Sequence, residues 1–144
     1  MKKTNNKGFS LIELIIVIAI MAVLVAIIAP NLTKYLGKSK KSTDTKNADE
    51  IAATLKTCIT DFEMDNGDLM STGGTATIAW AGTALTANPS GVNAANTGNK
   101  EFYELVNAEI DATKTKSKEN SSKYANAKID RDANGTYTIT VTWN

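Results

Sequence analysis

Residues 9–30 hold 19 hydrophobic side chains in 22 positions, and the three others are Ser10, Glu13 and Pro30. At about 1.5 Å per residue such a run reaches roughly 33 Å, enough to cross a hydrocarbon core about 30 Å thick. In lipid only a helix satisfies its own backbone in a single crossing, so the run predicts a transmembrane helix. Whatever folds in water must come from the rest of the chain. Residues 31–144 hold 41 hydrophobic residues in 114, and 15 of those are alanine, so any core there is thin. The net charge of +1 is an average over unlike parts. Residues 1–8 carry three lysines and no acid, and residues 31–41 carry Lys34, Lys38, Lys40 and Lys41. From Ser42 onward there are 9 basic residues against 14 acidic ones.

Glu13 is the anomaly in the apolar run, since a carboxylate inside a membrane helix costs on the order of 3 kcal/mol on insertion scales. An ordinary secretory signal peptide does not account for it. A cleavage after Ala29 would also place Ile27 and Pro30 at unfavourable positions. A plain membrane anchor leaves the charge unexplained. Cleavage after Gly8 would make Phe9 the N-terminus, with an ammonium four residues from Glu13, about one helical turn away. That amine, with an ordinary pKa near 7.7–8, would be charged at neutral pH. It could neutralise Glu13 within one chain or between neighbours in a bundle.

The stretch Lys2-Lys3-Thr4-Asn5-Asn6-Lys7-Gly8-Phe9-Ser10-Leu11-Ile12-Glu13-Leu14 resembles the class III leader of type IV prepilins and pseudopilins. The resemblance implies cleavage between Gly8 and Phe9 by a membrane prepilin peptidase and N-methylation of Phe9. It makes Glu13, fifth from the new terminus, the residue that sets subunit register in a filament. Pro30 resembles the proline that many pilins carry near the end of the membrane segment, where it bends the helix. The resemblance also orients the chain, leader inside and C-terminal part outside, which the lysines on both flanks leave open. It covers about the first 60 residues, and beyond them it concerns architecture only.

Past the membrane run, Ala48, Ile51, Ala52, Leu55, Cys58, Ile59 and Phe62 recur at steps of three and four, an apolar stripe on one helix face. Asn66-Gly67 is a stop signal. One helix is therefore expected from about residue 9 to 65, on the order of 85 Å long, with Pro30 and Gly37 softening rather than ending it. Residues 67–99, rich in Thr, Ala, Gly and Asn, read as a long connection with one short strand over 75–80. Residues 100–110 read as a short helix and 111–122 as a polar loop. Residues 136–143 alternate threonine with Tyr137, Ile139, Val141 and Trp143, a half-buried strand. It pairs with 124–130 across a turn at 132–135. The fold expected is α+β and pilin-like: one long N-terminal helix packed by a small antiparallel sheet with a C-terminal hairpin. Its parts are a leader at 1–8, the membrane helix at 9–30, an amphipathic spine at 31–65 and an external part at 66–144.

The chain has no histidine and a single cysteine, Cys58, so zinc-ligand patterns, Ser-His-Asp and Cys-His pairs and an intrachain disulfide are all excluded. Cys58 lies on the apolar stripe and reads as core. The carboxylate pairs Asp49/Glu50 and Asp61/Asp65 lack a matched acid and base and read as solvated helix faces. Asp130-Arg131-Asp132-Ala133-Asn134-Gly135 matches the first half of an EF-hand loop, but position twelve is Val141 rather than glutamate. It reads as a hairpin turn. Calcium on Asp130, Asp132 and Asn134 is the alternative, one that calcium-binding pseudopilins in the resembled family support. No cofactor is otherwise expected. Lys114, Lys116, Lys118 and Lys123 form a basic run without interleaved aromatics, weak grounds for a nucleic-acid partner. Asn120-Ser121-Ser122 and Asn134-Gly135-Thr136 are sequons of a kind that arises often by chance.

By resemblance the chain is a structural subunit rather than an enzyme. It starts as a single-pass precursor in the cytoplasmic membrane and ends in a surface pilus, a helical homopolymer serving adhesion, aggregation or motility. The partners implied are further copies of itself, the prepilin peptidase, an assembly platform protein and a cytoplasmic ATPase. The two-cysteine C-terminal loop of the family is missing, which points to a Gram-positive source or a pseudopilin. Two alternatives remain: a pseudopilin of a type II secretion or competence system, and a single-span anchored binding domain.

Overall fold

The computed structural model describes residues 9–81, 84–90 and 99–144. The leader with Gly8, and part of the long connection, lie outside the described residues. Six elements follow one another: α1 (Leu11–Asn66), β1 (Thr75–Ala81), β2 (Ala84–Ser90), α2 (Asn99–Glu109), β3 (Ala125–Arg131) and β4 (Tyr137–Trp143). The chain divides into two compact units, Met1–Ser39 and Lys40–Asn144, and α1 runs through both.

In the first unit every described residue is exposed, including Leu11, Ile16, Val23 and Ile28. Apolar side chains point to all sides of the helix and none is covered by the unit itself. In water such a surface would aggregate, whereas a membrane or a bundle of like helices solvates it. The helix is long and apolar enough to cross a membrane. It continues through Pro30, whose missing N–H leaves the carbonyl of Ala26 without its usual donor. Just beyond, Thr33 Oγ1 donates to the carbonyls of Pro30 at 3.0 Å and Ala29 at 3.4 Å.

The second unit is built on the later part of α1. Its buried residues, Asp44, Asn47, Ile51, Leu55, Cys58, Ile59 and Phe62, keep the helical spacing of one face. The apolar stripe thus appears where the sequence places it, and burial extends about one turn toward the N-terminus through the polar residues Asp44 and Asn47. The helix ends at Gly67, whose φ of 77° suits a residue without Cβ and whose N–H reaches the Glu63 carbonyl. Leu69 and Met70 then fold back into the core, fully buried.

Four antiparallel strands in the order β2-β1-β3-β4 form one sheet. Ala76, Ile78 and Trp80 of β1 alternate into the core with Ala125, Ala127 and Ile129 of β3. The β3–β4 hairpin runs in register from Ala125↔Trp143 to Arg131↔Tyr137. Its turn places Gly135 at φ 84°. Helix α2 buries Phe102 and Val106, and the Phe102 ring meets Phe62 edge-on at 5.5 Å between centroids.

One expectation needs correction. The stretch after residue 80 does not stay a connection, because β2 pairs there with β1 at the sheet edge. Ala84-Leu85-Thr86-Ala87-Asn88-Pro89-Ser90 shows almost no apolar alternation, and Pro89 argues against a central strand. At an edge, where only β1 is hydrogen-bonded to it, such a sequence is tolerated.

Candidate functional site

The first turn of α1 carries the residues that the sequence singles out. Phe9 is 90% exposed. Ser10 takes the N-cap position, and its carbonyl accepts the first helical hydrogen bond from Leu14 N–H at 3.3 Å. Glu13 reaches back so that its carboxylate accepts the Ser10 N–H at 2.8 Å. Ser10-x-x-Glu13 is therefore the acidic half of a capping box, with the carboxylate at the positive end of the helix. A counter-ion is thus not what Glu13 finds first: its partner is the Ser10 N–H, and serine followed three residues later by glutamate is a legible helix-start signal. In the uncleaved chain Phe9 N is an amide, so the N-cap is what offsets the charge.

The second unit contains two polar hubs. Asp44, 4% exposed, accepts from Ser117 Oγ and Lys118 N–H at 2.6 Å and from Glu119 N–H at 3.1 Å. Burial alone would raise its pKa, but these donors outweigh burial and hold the carboxyl below its ordinary range. Ser117 Oγ in turn accepts Asn120 N–H at 3.0 Å. The loop over residues 111–124 is thereby pinned to α1, and Lys114 adds an ion pair with Glu50.

The other hub is Arg131, at the end of β3. Its guanidinium donates to the Met70 carbonyl and, at 2.8 Å, to Asp68, and lies over the Tyr137 ring at 5.4 Å. Tyr137 OH donates to Glu63 near the end of α1. Burial first, and Glu63 second, push the Tyr137 phenol well above its ordinary pKa. The hairpin is thus tied to the helix end by charge and hydrogen bonds, in a chain with no disulfide to do so. Neither hub has a sequence signature, since both pair residues more than 60 positions apart.

The EF-hand half-match folds as a hairpin turn. Asp132 Oδ1 accepts the N–H groups of Asn134 and Thr136, each at 2.8 Å. Asp130 is held by Thr75 Oγ1 at 2.7 Å and Lys128 Nζ at 2.8 Å. Cys58 is buried, and its thiol pKa is raised to about 11, by burial first and then by Glu109 and Asp61. Its place is in the core.

Residues 3–29 match the prokaryotic N-terminal methylation motif. The chain is 37% identical over 59 residues to a type IV major fimbrial protein FimA of Dichelobacter nodosus, covering 41% of this chain and 38% of that one. It is 38% identical over 93 residues to the fimbrial protein EcpC of Eikenella corrodens, covering 65% and 55%. It is also 36% identical over 62 residues to the competence protein ComGC of Bacillus subtilis, covering 43% and 59%. The chain spans about two fifths of the length of the FimA relatives it matches. No solved structure matches it. A methylation motif over its apolar helix, a capped Glu13 and fimbrial relatives that share this end place the N-terminal part of the chain with the type IV pilins.

Proposed function

We propose that this chain is the structural subunit of a type IV pilus. One observation carries the proposal: a helix exposed and apolar on every side, whose only charged side chain within the apolar run, Glu13, sits in the first turn. Such a helix is at home in lipid before assembly and in a bundle of its own kind afterwards. Cleavage between Gly8 and Phe9 by a prepilin peptidase removes three lysines and creates an ammonium one turn from Glu13. That charge then meets Glu13 of the same chain or of a neighbour, in a bundle core where an unpaired carboxylate is costly. N-methylation of Phe9 leaves the amine charged. Pro30 bends the helix where it leaves the membrane.

Transfer from lipid to the bundle is the work of an assembly platform and a cytoplasmic ATPase. The family is structural, and we assign the chain no reaction. The precursor resides in the cytoplasmic membrane and the product at the cell surface. A second reading, a competence or secretion pseudopilin, is favoured by one finding: the competence relative is matched over a larger share of its own length than the fimbrial ones.

Electron microscopy of sheared cells distinguishes these readings. Wild-type cells are expected to shed long fibres made of this chain, and Glu13→Ala cells to insert the chain normally and shed none. Normal fibres from Glu13→Ala would contradict the role given to the charge. Absence of long fibres from the wild type would favour the pseudopilin.

A further inference from the structure

Asp44 does more than stiffen a loop, because it brings the backbone of Lys118 to the side of α1 that carries Lys40 and Lys41. Lys40 and Lys41 stand four and three positions before Asp44, on the same side of α1 and one turn away. The loop that Asp44 holds, residues 113–123, carries Lys114, Lys116, Lys118 and Lys123 against the single acid Glu119. With Lys118 N–H at 2.6 Å from Asp44, residues 117–119 of this loop meet α1 about one helical turn from Lys40 and Lys41, while Lys114 is drawn the other way to Glu50. Lys40, Lys41, Lys116, Lys118 and Lys123 are all exposed. Among the described residues none of Lys40, Lys41, Lys116 or Lys123 forms an ion pair. Asp44, Glu50, Asp111 and Glu119 lie among these lysines, yet Asp44 is buried and Glu50 is taken by Lys114, so the exposed side chains of Lys40, Lys41, Lys116, Lys118 and Lys123 outnumber the exposed acids beside them.

We infer that this cluster is a docking surface for anionic phospholipid headgroups, used while the precursor waits in the membrane. The inference rests on the membrane half of the function proposed above. Continuity selects lipid as the occupant. Lys40 opens the folded unit, ten residues beyond Pro30, and Lys34 and Lys38 fall in between. Lys34, Lys38, Lys40 and Lys41 thus follow the apolar run within eleven residues, and a polybasic stretch directly beside a membrane segment favours anionic lipid over a Debye length near 8–10 Å. Tyr35, 70% exposed, suits the interface itself. Docking here would hold the folded part against the bilayer, and would be given up when the helix is drawn into a fibre.

The test is hydrogen exchange on the full chain in lipid nanodiscs, zwitterionic or containing anionic phospholipid. Amides of residues 113–123 are expected to exchange about fivefold more slowly in anionic discs, the size of effect one lysine near a charged surface brings. Lys40→Gln/Lys41→Gln/Lys118→Gln/Lys123→Gln is expected to remove the slowing in the same discs, and the four corresponding arginine substitutions to keep it. Unchanged protection in β3 and β4 confirms that each variant is folded. Equal exchange in both discs would overturn the inference. So would slowing that follows the number of chains per disc, which marks a second copy as the partner, or slowing produced by added duplex DNA alone. A chain that elutes apart from the discs would instead refute the membrane reading, and this inference with it.

Discussion

Asp44 shows how one buried carboxylate can carry a loop. Removing it strands Ser117 Oγ and two backbone N–H groups, and each unsatisfied buried donor costs about 1–3 kcal/mol. Asp44→Ala is therefore expected to lower stability by about 2 kcal/mol or more in urea denaturation of the detergent-solubilised chain. Its folded pKa lies below the ordinary 3.8. The contribution is fully present above that ordinary value and is lost as pH falls through the folded one. Asp44→Asn should accordingly flatten the loss of stability measured between neutral pH and the acid side of that value. Cys58 has the opposite sign: its pKa rises from 9.0 to about 11, so the neutral thiol is favoured by the fold and stability declines as pH climbs between those values. Alkylation at pH 8 is expected only after denaturation, and rapid labelling of the native chain would contradict a core role. The turn at Asp132 satisfies itself through backbone N–H groups, and calorimetry with calcium is expected to give no heat.

At the scale of elements, the pattern-bearing segments were legible. The three-and-four spacing of Ile51, Leu55, Cys58, Ile59 and Phe62, and the threonine alternation of β4, follow from local periodicity, which a sequence displays directly. Strand β2 was not legible, because Ala84–Ser90 offers Leu85 as its one large apolar residue and a proline that argues against a strand. Asp44 with Ser117, and Arg131 with Asp68, were not legible either, since a polar residue gives no sign of which distant backbone it will serve. Helix α2 is held by Phe102 against Phe62 together with the buried Val106. Phe102→Ala is expected to cost about 3–5 kcal/mol and to loosen the exchange protection of α2 first. Tyr137→Phe, which deletes only the hydrogen bond to Glu63, is expected to cost about 1 kcal/mol and to leave the sheet intact.

At the scale of the molecule, the chain is two materials joined in one helix. The first unit leaves its entire apolar surface uncovered, and the second closes a small core with helix, sheet and two polar hubs. The methylation motif was legible, because residues 2–14 hold lysines, a glycine, an aromatic and an acid in the order that motif has. The capping of Glu13 by Ser10 N–H adds what the order of residues alone did not bring out: before cleavage the charge already has a partner, so the precursor can be stored. On the cleavage proposed above, the free amine would compete for the same carboxylate. All of this depends on the chain being cut where the motif says. Intact-mass spectrometry of the chain purified from its own cells reads that directly. The account requires a polypeptide that begins at Phe9 and carries one added methyl group; a chain that still holds residues 1–8 in the assembled fraction would contradict it.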